Sequence, residues 1–132
     1  MNGRGANGFQ TAPHTRAQGT VAEQAAARWL TRQGYRIREH NYRLKAGEID
    51  LIAVEDDTLC FVEVKARSGQ TYGPGSAAVT RSKRRRIARV ASVYLAATGW
   101  PGPCRFDVLS VTSETGGSWR FDLVRDAFRH EP

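Results

Sequence analysis

Apolar residues recur at helical spacing in two segments of the chain, and β-forming residues cluster in five others. The helical segments run from Thr20 to Gln33 and from about Thr80 to Thr98, and a glycine follows each of them. The β-forming segments predict strands at Tyr35–Tyr42, Ile49–Glu55, Thr58–Ala66, Arg105–Thr112 and Ser118–Arg125. The predicted order of elements is therefore αβββαββ.

A single domain is predicted between two short tails. Residues 1–15 are rich in Gly, Asn, Gln and Thr and carry no periodic apolar pattern, so we expect a flexible N-terminal tail. Residues 16–126 form the domain, and residues 127–132 form a short C-terminal tail. The chain has 132 residues, of which 40% are hydrophobic, and this is enough for one core.

The second and third strands are predicted to form a hairpin across a two-residue acidic turn. Symmetric pairing about that turn places Asp50 opposite Glu63 and Glu48 opposite Lys65. Because side chains alternate along a strand, one face should carry Asp50, Ile52, Val54, Leu59, Phe61, Glu63 and Lys65. The other face should carry Ile49, Leu51, Ala53, Cys60, Val62 and Val64.

Both of these faces are apolar for most of their length, so both need to be covered by helices. The segment from the third strand through the second helix to the fourth strand is long enough for a right-handed parallel crossover. The pattern therefore predicts an α/β fold with three layers, α/β/α, around a mixed sheet.

The facing carboxylates of Asp50 and Glu63 are the candidate catalytic centre. At about 5 Å they would repel by about 3 kcal/mol at an effective dielectric of about 20. Mg²⁺ or Mn²⁺ would compensate, since hard cations prefer carboxylate oxygens and can bridge them to a phosphate. Lys65 projects from the same face, where its ammonium could hold water or stabilise the transition state. The alternative is an ordinary polar strand edge, with Glu48 and Lys65 as a surface ion pair.

Two further glutamates have competing interpretations. Glu23 completes the pattern Thr20-x-x-Glu, which is typical of a capping box at the start of a helix. Its alternative role is to support the metal site. Glu48 is either a third acidic ligand or the group that orients Lys65.

A basic run at the start of the second helix is the candidate nucleic-acid contact. The chain has 20 Lys and Arg against 13 Asp and Glu, a formal net charge of +7, which favours a polyanionic partner. Cations in a first helical turn oppose the helix dipole, and phosphate binding would offset that cost. The alternative is a solvated surface. The candidate contacts are Arg67, Arg81, Lys83, Arg84, Arg85 and Arg86.

Several motifs give the chain a resemblance to known proteins. The segments Gly47-Glu-Ile-Asp50-Leu-Ile and Phe61-Val-Glu-Val-Lys65-Ala-Arg67 resemble the core of the restriction-endonuclease-like PD-(D/E)xK nucleases, with Ile49 in place of the motif's proline. With Glu23, Asn41-Tyr-Arg, Ala78-Val79, Lys83-Arg-Arg-Arg-Ile and Arg105-Phe-Asp-Val, the chain is similar to the YraN-like (UPF0102) bacterial family, predicted nucleases related to archaeal Holliday-junction resolvases. The resemblance covers roughly Arg16 to Val124.

The resemblance implies the restriction-endonuclease-like fold and a role for each central residue. Asp50 and Glu63 would be metal ligands, Lys65 the catalytic lysine, and the carbonyl of Val64 a further candidate ligand. The implied activity is metal-dependent hydrolysis of DNA phosphodiester bonds, on branched or single-stranded DNA, in repair or recombination. The alternative is a catalytically inactive nucleic-acid-binding module or a scaffold for DNA-processing proteins.

Partners and location follow from the same features. DNA is favoured over RNA, and cleavage of both strands would need two sites, which a homodimer would supply. The N-terminus has no apolar leader and no apolar run is long enough to span a membrane, so we expect a cytoplasmic protein without a membrane partner.

Overall fold

Five strands and two long helices make up the part of the chain that the computed structural model describes, residues 20–68 and 79–129. The elements are α1 (Val21–Arg32), β1 (Arg36–Leu44), β2 (Gly47–Glu55), β3 (Thr58–Ser68), α2 (Arg81–Thr98), β4 (Cys104–Ser113) and β5 (Trp119–Phe128). The predicted order αβββαββ is confirmed. The predicted N-terminal tail and residues 69–78 lie outside the described residues.

The sheet is mixed and has the strand order β1-β2-β3-β4-β5. β3 and β4 are parallel and are connected through α2, whereas the other neighbouring strands are antiparallel. β5 continues to the buried Phe128, two residues into the segment predicted as a C-terminal tail. This residue stacks on Phe106 of β4, which explains why the strand extends so far.

Each face of the sheet has its own apolar cluster and its own helix. The α2 cluster contains Ile87, Val90 and Tyr94 of the helix packed on Ile52 and Phe61 of the sheet. The α1 cluster is built from the following residues: Ala22, Ala26, Leu30, Leu51, Ala53, Cys60, Val62, Leu109 and Val111. The three-layer α/β/α arrangement is thus confirmed, and it is the fold that the resemblance implies.

For the apolar residues of β2 and β3, the predicted distribution between the two faces is correct except at Ile49. This residue was expected to share a face with Leu51, but it packs in the α2 cluster, and Leu51 packs in the α1 cluster. Asn41 lies opposite this point on β1 and has a left-handed φ of 51°. Such a residue interrupts the regular pleat, and asparagine tolerates it better than most residues do. Strict alternation therefore fails at Asp50, between the two.

An ionic network that the sequence did not reveal lies near the β2–β3 turn. The guanidinium of Arg105 donates to Asp107, Glu55 and the hydroxyl of Tyr35, and Arg125 donates two further hydrogen bonds to Glu55. Asp107 is fully buried, so its charge depends on these partners. Hydrogen bonds from Arg125, supported by Arg105, lower the pKa of Glu55 to about 2.

Both helices begin with side-chain caps. Thr20 and Glu23 form a complete capping box on α1, and the Thr80 hydroxyl accepts a hydrogen bond from the backbone of Lys83 on α2. Within residues 20–68 and 79–129, neither helix is long and apolar enough to cross a membrane.

Candidate active site

The candidate site lies where β2 and β3 stop pairing. Their ladder runs in the predicted register from Glu55 and Thr58 to Leu51 and Val62, and it ends there. Beyond that point β2 continues to pair with β1, and β3 with β4. The two strands therefore separate at the residues that follow, which are Asp50 and Glu63.

The side chain of Asp50 is hydrogen-bonded to the neighbouring strand β3. Its carboxylate Oδ2 accepts a hydrogen bond from the backbone N–H of Val64, at 2.8 Å. This bond replaces the missing backbone pairing and turns the carboxylate towards β3. The predicted approach of Asp50 to Glu63 is consistent with this contact, since Val64 directly follows Glu63.

Negative charge is concentrated around Asp50. Burial, and then the charge of Glu63, raise its pKa to about 8, although the hydrogen bond from Val64 acts in the opposite direction. The charges of Glu23 and Glu48 raise it further. The charges of Glu23, Glu48 and Glu63 thus all act on Asp50, and a cation would relieve this repulsion.

Glu63 already has a cationic partner. Its buried carboxylate forms an ion pair with the ammonium of Lys83, which reaches it from the first turn of α2. The parallel connection from β3 through α2 to β4 brings the basic end of α2 close to Lys65 of β3. The direct contact between Lys83 and Glu63 was not predicted, because Lys83 had been assigned to DNA phosphates.

Lys65 stands beside these groups on β3. Partial burial and the positive charges of Arg67 and Lys83 hold the pKa of its ammonium below its usual range, against the opposing effect of Glu63. Three cationic side chains therefore lie close enough to repel one another. A phosphate group brought among them would reduce this repulsion.

Glu23 and Glu48 are joined by an asparagine that sequence reasoning did not assign to the site. The Asn41 side-chain amide donates to Glu23 at 3.1 Å and to Glu48 at 2.9 Å, and Arg43 forms an ion pair with Glu48 at 2.9 Å. Glu23 thus fulfils its predicted capping role and also faces the acidic group. The β2–β3 ladder ends before Asp50 and Glu63 and does not extend to Glu48 and Lys65. The predicted pairing of Glu48 with Lys65 was therefore wrong, and Asp50 is joined to β3 through its side chain rather than as a ladder partner of Glu63. The Asn41-Tyr-Arg motif, which contributes to the family resemblance, was the sequence feature that could have identified Asn41 as part of the site.

The remaining basic residues of α2 line the helix beside this site. Arg81, Arg85 and Arg86 are exposed, and Arg84 is partly exposed. Arg86 donates to the hydroxyl of Ser82 on the same helix. The first two turns of α2 thus carry several solvent-accessible cations in addition to Lys83, which reaches Glu63.

The donor set at the centre fits a hard divalent cation. Among residues 20–68 and 79–129, no group of three or more His, Cys, Asp and Glu side chains is arranged to hold a metal. Magnesium, however, is commonly held by one or two carboxylates, with waters and substrate oxygens completing its coordination. Asp50 and Glu63 supply two carboxylates, and the carbonyl of Val64 is a third candidate oxygen.

Comparisons with known proteins agree with the motifs. The family model described as "Uncharacterised protein family UPF0102" matches residues 22–111. A UPF0102 protein from Symbiobacterium thermophilum is 51% identical over 115 residues, which cover 86% of this chain and 98% of the relative. One from Cupriavidus metallidurans is 46% identical, covering 89% and 84%. Among solved structures, Pyrococcus furiosus SfsA in complex with Ca²⁺ matches with a TM-score of 0.34 and 14% identity, over 75% of this chain and 58% of that one.

Proposed function

This chain belongs to the uncharacterised protein family UPF0102, and we propose that it is a metal-dependent endonuclease that hydrolyses DNA phosphodiester bonds. One observation carries the proposal. Where β2 and β3 separate, the acidic group around Asp50 lies directly beside the cationic side chains of Lys65, Arg67 and Lys83. Hydrolysis of a phosphodiester needs both, because acids hold a cation and basic groups bind the phosphate.

Asp50 and Glu63 would hold Mg²⁺ or Mn²⁺, with the backbone carbonyl of Val64 as a further ligand. Such a cation, when bound, activates water and neutralises charge on the phosphate. The hydrogen bond from Val64 holds the Asp50 carboxylate in place before any ligand arrives. Glu23 and Glu48, linked by Asn41, add negative charge that would strengthen the attraction for a cation.

Lys65 would act on the reacting phosphate. Its ammonium lies on β3 two residues beyond Glu63, and its lowered pKa makes it a better proton donor or acceptor than an ordinary lysine. We assign it the stabilisation of charge on the phosphate or the positioning of the attacking water. Arg67 and the exposed arginines of α2 would bind neighbouring phosphates independently of sequence.

The substrate we propose is DNA, branched or single-stranded, in repair or recombination. Cleavage of both strands at one place requires two sites, so we further propose that two copies of the chain act together on such substrates. The preference for DNA is tested by comparing cleavage of DNA with cleavage of RNA of the same length.

A binding module without catalysis is the second candidate, and two observations favour it. The ion pair between Lys83 and Glu63 already neutralises one proposed ligand, and burial together with the charge of Glu63 raises the pKa of the other, Asp50, which favours its protonated form. An acidic pair satisfied in this way needs no metal. The two candidates therefore differ in whether a divalent cation binds at all.

Calorimetric titration with Mn²⁺ tests this difference directly. We expect the protein to bind Mn²⁺ at millimolar concentration or below, and Asp50→Asn to remove that binding. Asp56→Asn is the matched control, because Asp56 is an exposed aspartate in the β2–β3 turn. Cleavage would then be measured on linear, single-stranded and branched DNA, with RNA alongside. A protein that binds DNA but no divalent cation would be a binding module.

A further inference from the structure

Lys83 has a contact that its position on the basic helix does not by itself explain. Its backbone N–H is held by the Thr80 cap at 3.1 Å, which fixes the start of α2. Its side chain, which is 43% exposed, reaches the carboxylate of Glu63, which is only 7% exposed. A flexible cation from the surface thus neutralises a buried acid at the centre of the site.

We propose that Lys83 couples metal binding to DNA binding, because its ammonium can neutralise either Glu63 or a DNA phosphate. This inference rests on the proposed nuclease function. In the protein alone the ammonium takes the place of the metal on Glu63. When the metal binds, the ammonium is released and becomes available to the DNA backbone.

The charges around Glu63 support this exchange. A divalent cation on that carboxylate would lie next to the ammonium of Lys83, and Lys65 and Arg67 add further positive charge close by. Lys83 would then be repelled from Glu63. Its exposed stem allows the ammonium to swing away from the centre without unfolding any part of α2, and a phosphate is the anion that would receive it.

Coupling of this kind must be reciprocal. If the metal frees Lys83 for a phosphate, a phosphate that holds Lys83 frees Glu63 for the metal by the same factor. The protein without DNA would therefore bind metal weakly and would acquire it together with its substrate. This arrangement limits the loading of the site in the absence of DNA.

The first test uses metal alone, with the full chain and no DNA. Mn²⁺ affinity is measured by calorimetry for the unmodified protein, Lys83→Met and Arg32→Met. Arg32 is the control because it is exposed, carries the same charge and lies in the last turn of α1, outside the basic run of α2. We expect Lys83→Met to bind Mn²⁺ about 5-fold more tightly or better, and Arg32→Met to change the affinity less than about twofold.

Equal affinity in the two variants would overturn the proposal while leaving metal binding, and hence the nuclease function, intact. If none of the proteins bound Mn²⁺, both proposals would fall. Circular dichroism and thermal unfolding check that the variants fold, and Lys83→Gln provides a second removal of the charge that keeps a hydrogen-bond donor near Glu63.

The second test measures the coupling itself. The affinity for a short single-stranded DNA is measured with Ca²⁺ and with EDTA, and the ratio of the two gives the coupling factor. Direct contact of the metal with phosphate contributes to this ratio in every variant. We expect the ratio to fall several-fold in Lys83→Met but not in Arg32→Met. An unchanged ratio in Lys83→Met would refute the transfer of its ammonium to DNA.

Discussion

Replacing Asp50 with asparagine should change how the stability of the metal-free protein depends on pH. The native carboxyl has a pKa of about 8 because it is buried and faces the charge of Glu63, whereas the ordinary value is 3.8. Between these values the folded protein keeps a proton that the unfolded chain has lost. The free energy of unfolding must therefore decrease as the pH rises from about 4 to about 8.

The expected size of this decrease follows from the same two values. A difference of one bound proton corresponds to about 1.4 kcal/mol per pH unit, so the upper limit between pH 5 and pH 8 is about 4 kcal/mol. Small movements that hydrate the Asp50 carboxylate would reduce the effect, and we expect about 2 kcal/mol. Asp50→Asn cannot ionise at this position, so it should be the more stable protein at pH 8 by about that amount.

Urea unfolding in EDTA at several pH values between 5 and 8.5 measures this difference. The contributions of other titrating groups largely cancel when the variant is compared with the unmodified protein at each pH. Asp56→Asn controls for the loss of an exposed aspartate, and its curve should run parallel to that of the unmodified protein. Parallel curves for Asp50→Asn, within about 0.5 kcal/mol, would show that the carboxyl is not buried against Glu63 as described.

Three other variants test separate parts of the structure. Lys65→Ala should retain Mn²⁺ and DNA binding and lose about 0.5 kcal/mol of stability or less, but its cleavage rate should fall at least about 100-fold. Weakened metal binding in this variant would contradict a role in chemistry alone. Replacing Arg84 and Arg85 with glutamine should lower the log–log salt slope of DNA binding by up to about two, and an unchanged slope would indicate a solvated surface. Asp107→Asn should reduce the free energy of urea unfolding by about 3 kcal/mol, because the charge of Arg105 loses its buried partner. An unchanged free energy of unfolding would contradict the pairing of Arg105 with Asp107.

Most of the fold could be predicted because local pattern and long-range packing agree in it. The helical segments have clear apolar stripes and caps, and the β2–β3 register follows from symmetric pairing about a short turn. The crossover through α2 follows from length and handedness alone, and it correctly places the basic end of that helix near Lys65.

The buried network around Arg105 could not be predicted in this way. Its carboxylate partners, Glu55 and Asp107, come from different strands, and Tyr35 follows the end of α1. Alternation along β4 places Arg105 and Asp107 on one face, but neither periodicity nor spacing indicates that Glu55 and Tyr35 meet them. In the sequence, the partners of Arg105 are indistinguishable from ordinary polar residues at strand ends.

The two errors in the predicted pattern of β2 and β3 both fall at the candidate site. Alternation fails between Ile49 and Leu51 because β1 is irregular at Asn41, and the ladder ends before Glu48 and Lys65 because the strands separate. A regular hairpin would have filled this space with backbone hydrogen bonds. The irregular one leaves room between the strands and gives Asp50 a backbone partner on β3. Departures from local rules are expected where function demands a geometry that regular pairing cannot provide, which makes this part of the sheet the place to test for chemistry.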